Sequence, residues 1–216
     1  MLDPMLASLR ALPFLLIASL LGPATHAAQP ATRTLVCLGD SLTAGYGLAP
    51  EQAYPARLEA RAKAAGLPWK VVNAGISGDT TAGGLRRLDW ALKGQVDLLF
   101  ICLGANDGLR GIPPQETEKN LRALIQKAKA KGIPVVLAGM KLPDNFGKAH
   151  QQAFEALFPR LAKTENVPLL PFLLEGVAMN PRLNQADGIH PTAEGAAKVT
   201  DTVWKVLEPR MRKAAR

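Results

Sequence analysis

From Thr34 onward the chain alternates short apolar runs with longer segments of mixed polarity. Residues 34–38 are a continuous apolar run ending at Gly39, which reads as a buried strand. Residues 54–65 mix Ala, Leu, Arg, Glu and Lys, with Pro55 in a first turn and Gly66 as a stop, so they read as a helix. Residues 70–73 form a second predicted strand. Thr80 or Thr81 can cap a helix running to Leu92. Residues 97–103 form a third strand, which again ends at a glycine. A helix over 115–130 carries Lys and Arg toward its end and stops at Gly132. Residues 134–138 are a fourth strand, a helix covers about 147–165, and residues 167–170 are a short fifth strand. The last predicted helix covers about 192–207.

Strands that are apolar at every position are covered on both faces, so the repeated β-α pattern predicts a parallel sheet wrapped by helices. Right-handed crossovers leave few topologies. The expected fold is an α/β, flavodoxin-like three-layer sandwich with five parallel strands in the order 2-1-3-4-5. No internal repeat or low-complexity stretch interrupts it.

The first 27 residues follow a different pattern. Arg10 precedes an apolar run over 11–21, then Gly22, Pro23 and the small residues Thr25 and Ala27. This is the pattern of a secretory signal peptide, cleaved after Ala27. The run is short for a membrane span, and no later stretch predicts one. The remaining 28–216 then make one domain, consistent with their length and with the 48% hydrophobic and 20% charged residues of the 216-residue chain. The expected location is the periplasm or the outside of the cell. In that oxidising space the two cysteines, Cys37 and Cys102, do not make a disulfide scaffold. Both lie in apolar runs and are expected as buried thiols, with a bridge between them the weaker alternative.

The net charge is +8, and the leader leaves it unchanged because Asp3 and Arg10 cancel. Part of the excess is terminal: Arg210, Arg212, Lys213 and Arg216 mark a basic tail over 209–216. Such a tail allows weak contact with an anionic membrane surface, but a solvated, frayed end is the preferred reading. No nucleic-acid motif accompanies it, so no nucleic-acid partner is expected. A monomer is expected.

In open α/β sheets, ligands bind beyond the carboxyl ends of the strands, near the switch between strands 1 and 3. The first and third strands here deliver CLGDS (37–41) and CLGAND (102–107), and the second delivers NAGISGD (73–79). Three strands therefore bring Gly, Ser, Asn and Asp to one crevice. A hydroxyl nucleophile needs a base. His26 leaves with the leader, and His150, in a charged helical stretch, is expected to be exposed. His190 stands in DGIHP (187–191), where the three-residue spacing lets Asp187 fold back onto the ring. That would fix the tautomer, as the acid of a Ser-His-Asp triad does. The same spacing equally suits a turn capped by Asp187 with a surface histidine. Gly-Asp-Ser is likewise common in ordinary loops. The chain has no G-x-S-x-G elbow, no phosphate loop and no dinucleotide fingerprint. Its few His and Cys lack zinc-ligand spacing, so neither metal nor cofactor is expected.

Taken together, GDSLTAGYG (39–47), NAGISGDT (73–80), LGANDGLRG (103–111) and DGIHP (187–191) resemble the four blocks of the GDSL, or SGNH, hydrolase family. The likeness extends through PLLPF (168–172) and covers nearly the whole mature chain, closest to the periplasmic arylesterase and lysophospholipase group. The resemblance implies a serine esterase with Ser41 as nucleophile, His190 as base and Asp187 as its orienting acid. It also implies an oxyanion hole from the N–H groups of Ser41 and Gly78 and the amide of Asn106. One departure is Ala105, where some relatives have glycine. Asp40 and Asp107 are expected to be structural, bonding loop N–H groups.

The resemblance further implies an acyl site bordered by 108–113 and 141–147, where Leu109, Ile112, Leu142, Pro143 and Phe146 can line an apolar groove; ordinary packing of those side chains is equally open. The expected substrates are small-molecule or lipid acyl esters: aryl esters, lysophospholipids and acyl thioesters. Polysaccharide O-acetyl ester cleavage is the alternative within enzymes. Outside enzymes, the same crevice suits a non-catalytic flavodoxin-like binding module, and the basic tail a membrane-binding protein.

Overall fold

A computed structural model describes residues 31–214 of the chain. The expected leader, 1–27, lies outside the described residues.

Five parallel strands form one sheet in the order β2-β1-β3-β4-β5. They are β1 (Arg33–Gly39), β2 (Trp69–Gly75), β3 (Leu98–Cys102), β4 (Val135–Ala138) and β5 (Leu169–Leu170). The helices are α1 (Ser41–Ala44), α2 (Tyr54–Ala64), α3 (Thr81–Ala91), α4 (Ala105–Leu109), α5 (Pro114–Ala130), α6 (Lys148–Thr164) and α7 (Ala193–Ala214). Helices α2 and α7 pack together in one layer, and α3, α5 and α6 pack in the other. Leu35 to Leu38 of β1 and all of β3 are buried, as strands covered on both faces must be. Topology and strand order match the sequence expectation.

Three local features differ from it. The segments after β1 and β3 are single helical turns, α1 and α4, where the pattern suggested loops; each is too short to show a helical period. Helix α7 also runs past Leu207 to Ala214, through Pro209. Met211 is fully buried against the core, and the Trp69 indole N–H donates to its carbonyl at 3.3 Å. Burial of that last turn outweighs the proline, so the described part of the tail, 209–214, is an anchored helix end and not a frayed one. Arg212 there is held by Glu208 at 2.8 Å. Finally, His150 is half-buried, with its ring stacked on Phe154 at 6.4 Å.

Both cysteines are buried and free. Gly39 of β1 pairs with Cys102, so Cys37 sits two residues out of register from it. Neighbouring strands at that offset put the two Cα atoms about 8 Å apart, beyond the reach of a disulfide. The Tyr54 hydroxyl donates to Cys102 Sγ at 3.2 Å. Burial pushes the Cys37 thiol up to about 12 and that of Cys102 well above its usual value. Both are therefore inert thiols. Among the described residues no helix is long and apolar enough to cross a membrane.

Candidate active site

The site lies over the carboxyl ends of β1 and β3. Gly39 ends β1 where a Cβ would overlap the Thr43 hydroxyl, so only glycine lets the chain turn directly into α1. Asp40 caps that helix: its Oδ1 accepts the Leu42 N–H at 3.0 Å. The turn fixes Ser41 as the first helical residue. The last long loop brings His190 to it from the far end of the chain. Here Asp187 Oδ1 accepts the N–H groups of Ile189 and His190, both at 3.0 Å, which closes the turn. Its Oδ2 is left facing His190 Nδ1 at 2.7 Å. His190 Nε2 lies 2.8 Å from Ser41 Oγ. Gln185 locks the loop: its side-chain amide donates to the carbonyls of Tyr46 (2.7 Å) and Pro191 (3.0 Å), its N–H donates to the His190 carbonyl at 2.7 Å, and its carbonyl accepts the Gly188 N–H at 2.9 Å. The Tyr46 ring rests 4.6 Å from the imidazole.

These bonds set the charges. The backbone and ring N–H groups of His190, with that of Ile189, lower Asp187 to about 2, so it is ionised at neutral pH. Asp40 is the opposite case: burial lifts it to about 6, against the pull of Leu42 N–H and His190. Asp107 is also buried and raised, while both of its oxygens accept from Thr81, one from the backbone at 2.9 Å and one from the hydroxyl. Asp40 and Asp107 thus bond backbone N–H groups, though these belong to the first turns of α1 and α3 and not to loops as expected.

The three residues to which the resemblance assigns oxyanion donors lie together. Gly78 has φ +79, a left-handed backbone that favours glycine, and its carbonyl is held by Arg110 at 2.8 Å. Asn106 is in α4; its amide donates to the Asp79 carbonyl at 3.0 Å and makes a longer contact of 3.4 Å with Asp40 Oδ2. Ser41, Gly78 and Asn106 all line one cavity of about 530 Å³, together with His190. That is the size of a small-molecule site.

The cavity runs from these residues across the ends of β3, β4 and β5, with largely apolar walls. Leu109, Leu142 and Pro143 line it as expected. Ile112 and Phe146 do not. Gly111 turns the chain left-handed just before Ile112, which leads into α5, and Phe146 packs on the hydrophobic core. The sequence reading missed Leu42, Met140, Phe172, Leu174 and Met179, which do line the cavity. The strand-end positions of Met140 and Phe172 were the available signal. Tyr46, Met179 and Ile189 are exposed apolar side chains at its rim. Besides His190, its ionisable members are Asp40, Tyr46, Lys141 and Glu155. Among the described residues no group of three His, Cys, Asp or Glu is placed to hold a metal.

A hydrogen-bonded carboxylate–imidazole–hydroxyl chain opening into an apolar cavity can perform acyl transfer. Comparison with known proteins agrees with that chemistry. The profile of the GDSL-like lipase/acylhydrolase family matches residues 37–198. The chain is 42% identical over 182 residues to "Esterase TesA" of Pseudomonas aeruginosa, covering 84% of this chain and 90% of that protein. It is 44% identical over 180 residues to "Thioesterase 1/protease 1/lysophospholipase L1" of Escherichia coli K12, covering 83% and 85%. Among solved structures, the psychrotrophic esterase EstA of Pseudoalteromonas sp., inhibited by monoethylphosphonate, superposes with a TM-score of 0.79 at 32% identity, covering 83% of this chain and 99% of that one. This chain belongs to the GDSL-like lipase/acylhydrolase family.

Proposed function

We propose that the protein is a serine ester hydrolase that cleaves small-molecule and lipid acyl esters through an acyl-enzyme on Ser41. The observation that supports this most is the Asp187–His190–Ser41 chain, with bonds of 2.7 and 2.8 Å, opening into an apolar cavity. Names of its relatives point the same way: an esterase, and a thioesterase and lysophospholipase.

Ser41 Oγ attacks the acyl carbon while His190 Nε2 takes its proton. Ionised Asp187 holds the ring with its Nδ1 proton inward and stabilises the imidazolium. Negative charge grows on the carbonyl oxygen, where the N–H groups of Ser41 and Gly78 stabilise it together with the Asn106 amide hydrogen that, without substrate, makes only the long 3.4 Å contact with Asp40 Oδ2. One such donor contributes about 3–4 kcal/mol in well-studied hydrolases. His190 then protonates the leaving group. Water enters, loses a proton to the same nitrogen, and releases the acid. The apolar walls take the acyl chain, each buried methylene contributing about 0.8 kcal/mol.

Purified protein should hydrolyse a p-nitrophenyl ester series, with kcat/KM rising from acetate to butyrate and beyond, and should deacylate lysophospholipid. Turnover confined to acetyl esters would favour a polysaccharide deacetylase. The reading includes export, supported by the leader-like residues 1–27. Terminal sequencing of protein recovered from the periplasm or medium should then begin at Ala28; an intact Met1 would contradict export.

A further inference from the structure

We infer that Arg87, on α3, is the positioning residue that holds the three oxyanion donors in one frame, because its guanidinium bonds to the ends of β1 and β2 and to the residue after Gly78 at once. This rests on the Ser41 acyl-enzyme reading above. The proposed donors come from three separate segments, and hydrogen-bond geometry requires them to stay aligned within a few tenths of an ångström.

Arg87 bonds the segments that carry two of them and reaches the third through Asp79. Its Nη2 donates to the Gly39 carbonyl at 2.9 Å, two residues before Ser41. Its Nη1 donates to the Ala74 carbonyl at 2.8 Å, at the end of the strand that leads into the Gly78 loop. Its Nε donates to Asp79 Oδ2 at 2.7 Å, immediately after Gly78. The Asp79 carbonyl in turn accepts the Asn106 amide at 3.0 Å. Each donor is thus within two residues, or one hydrogen bond, of an atom bound to the network of this guanidinium.

Other features fit this use. The Arg87 and Asp79 side chains are only 14% and 12% exposed, so water replaces these bonds poorly. Helix α3 makes room for the Asp79 carboxylate: a Cβ at Gly83 would overlap Asp79 Oδ1. A rigid five-donor fork can span two carbonyls and a carboxylate, whereas the lysine ammonium is a single point on a flexible stem. Arg87 does not line the cavity, so it acts through the donors and not on substrate.

The test compares Arg87→Ala, Arg87→Lys and the control Arg86→Ala, an exposed neighbour, after melting curves establish folding. Arg87→Ala should lower kcat by about 100-fold or more while KM stays within about threefold, the pattern of lost transition-state binding. An alkyl boronic acid, which forms a tetrahedral anion on the serine, should bind more weakly by the factor lost in kcat/KM. Millimolar guanidinium should restore part of the Ala variant's rate, and Arg87→Lys should recover little. Arg86→Ala should match wild type. A folded Arg87 variant with kcat within about threefold of wild type, or KM and boronate affinity weakened together, would overturn the inference. If Arg87→Ala does not fold, Arg87→Lys decides by the same criteria. Activity surviving in Ser41→Ala would instead sink the reading beneath it.

Discussion

Exchanging Asp187 for asparagine alters the ring tautomer while leaving the shape of the loop nearly unchanged. Asp187 has two tasks on separate oxygens: Oδ1 accepts two backbone N–H groups at 3.0 Å, and Oδ2 accepts the His190 ring at 2.7 Å. In Asp187→Asn the amide oxygen keeps the first task, so its NH2 faces Nδ1 and favours the tautomer with the proton on Nε2. That tautomer cannot take a proton from Ser41. Flipping the amide recovers the productive tautomer but gives up both backbone bonds, at about 2–4 kcal/mol in total. At 1.36 kcal/mol per decade this is a loss of about 30- to 1,000-fold in kcat. A buried triad acid loses about 10⁴-fold on the same exchange. The side chain here is 38% exposed, so water softens the effect. Asp187→Ala should lose no more activity than Asp187→Asn, because water can serve Nδ1, but it should melt lower, because the turn loses its acceptor. Initial rates on p-nitrophenyl butyrate, beside melting curves, separate the two. An Asn variant that folds and retains kcat within about threefold of wild type would refute the orienting role.

Asn106→Ala should lower kcat by about 100- to 1,000-fold with little change in KM; a KM effect alone would make Asn106 a substrate-binding group instead. Burial raises Asp40 from 3.8 to about 6, so the folded state holds that proton more tightly than the unfolded chain does. Its contribution to stability therefore falls as pH rises from about 4 to about 6. Urea unfolding of wild type and Asp40→Asn should show the wild type losing stability relative to the variant over that window; parallel curves would contradict the burial argument. Met211→Ala should cost about 2–4 kcal/mol of unfolding free energy, whereas a frayed tail predicts none.

Much of this architecture is written in the sequence because of what parallel strands require. Runs such as 35–38 and 98–103 are apolar at every position, so they announce a sheet covered on both faces, and the switch-point rule then points to the residues just after them. Ser41, Asn106 and the Gly78 loop all follow strands, and so fall where that rule looks. Apart from the family block DGIHP, Asp187 and His190 were legible only as a spacing, which a simple turn explains as well; their convergence on Ser41 depends on a loop closed by Gln185 and Tyr46 across the whole chain. Arg87 was invisible. Beside Arg86 on an amphipathic helix it looks like a second solvated cation, and only the fold brings three acceptors to it. The last helix was expected to end near Leu207 yet continues through Pro209, because the cost of a proline is local while the benefit of burying Met211 is tertiary. Ile112 and Phe146 illustrate the converse: proximity in sequence to a lining residue does not set the direction of a side chain.

The most direct test of the account is hydrolysis of p-nitrophenyl butyrate by the purified chain beside a folded Ser41→Ala variant. The account predicts turnover by the wild type and loss of about 10³-fold or more in the variant, as for other triad nucleophiles. Equal rates from the two proteins would mean that Ser41 is not the nucleophile and that the chemistry lies elsewhere.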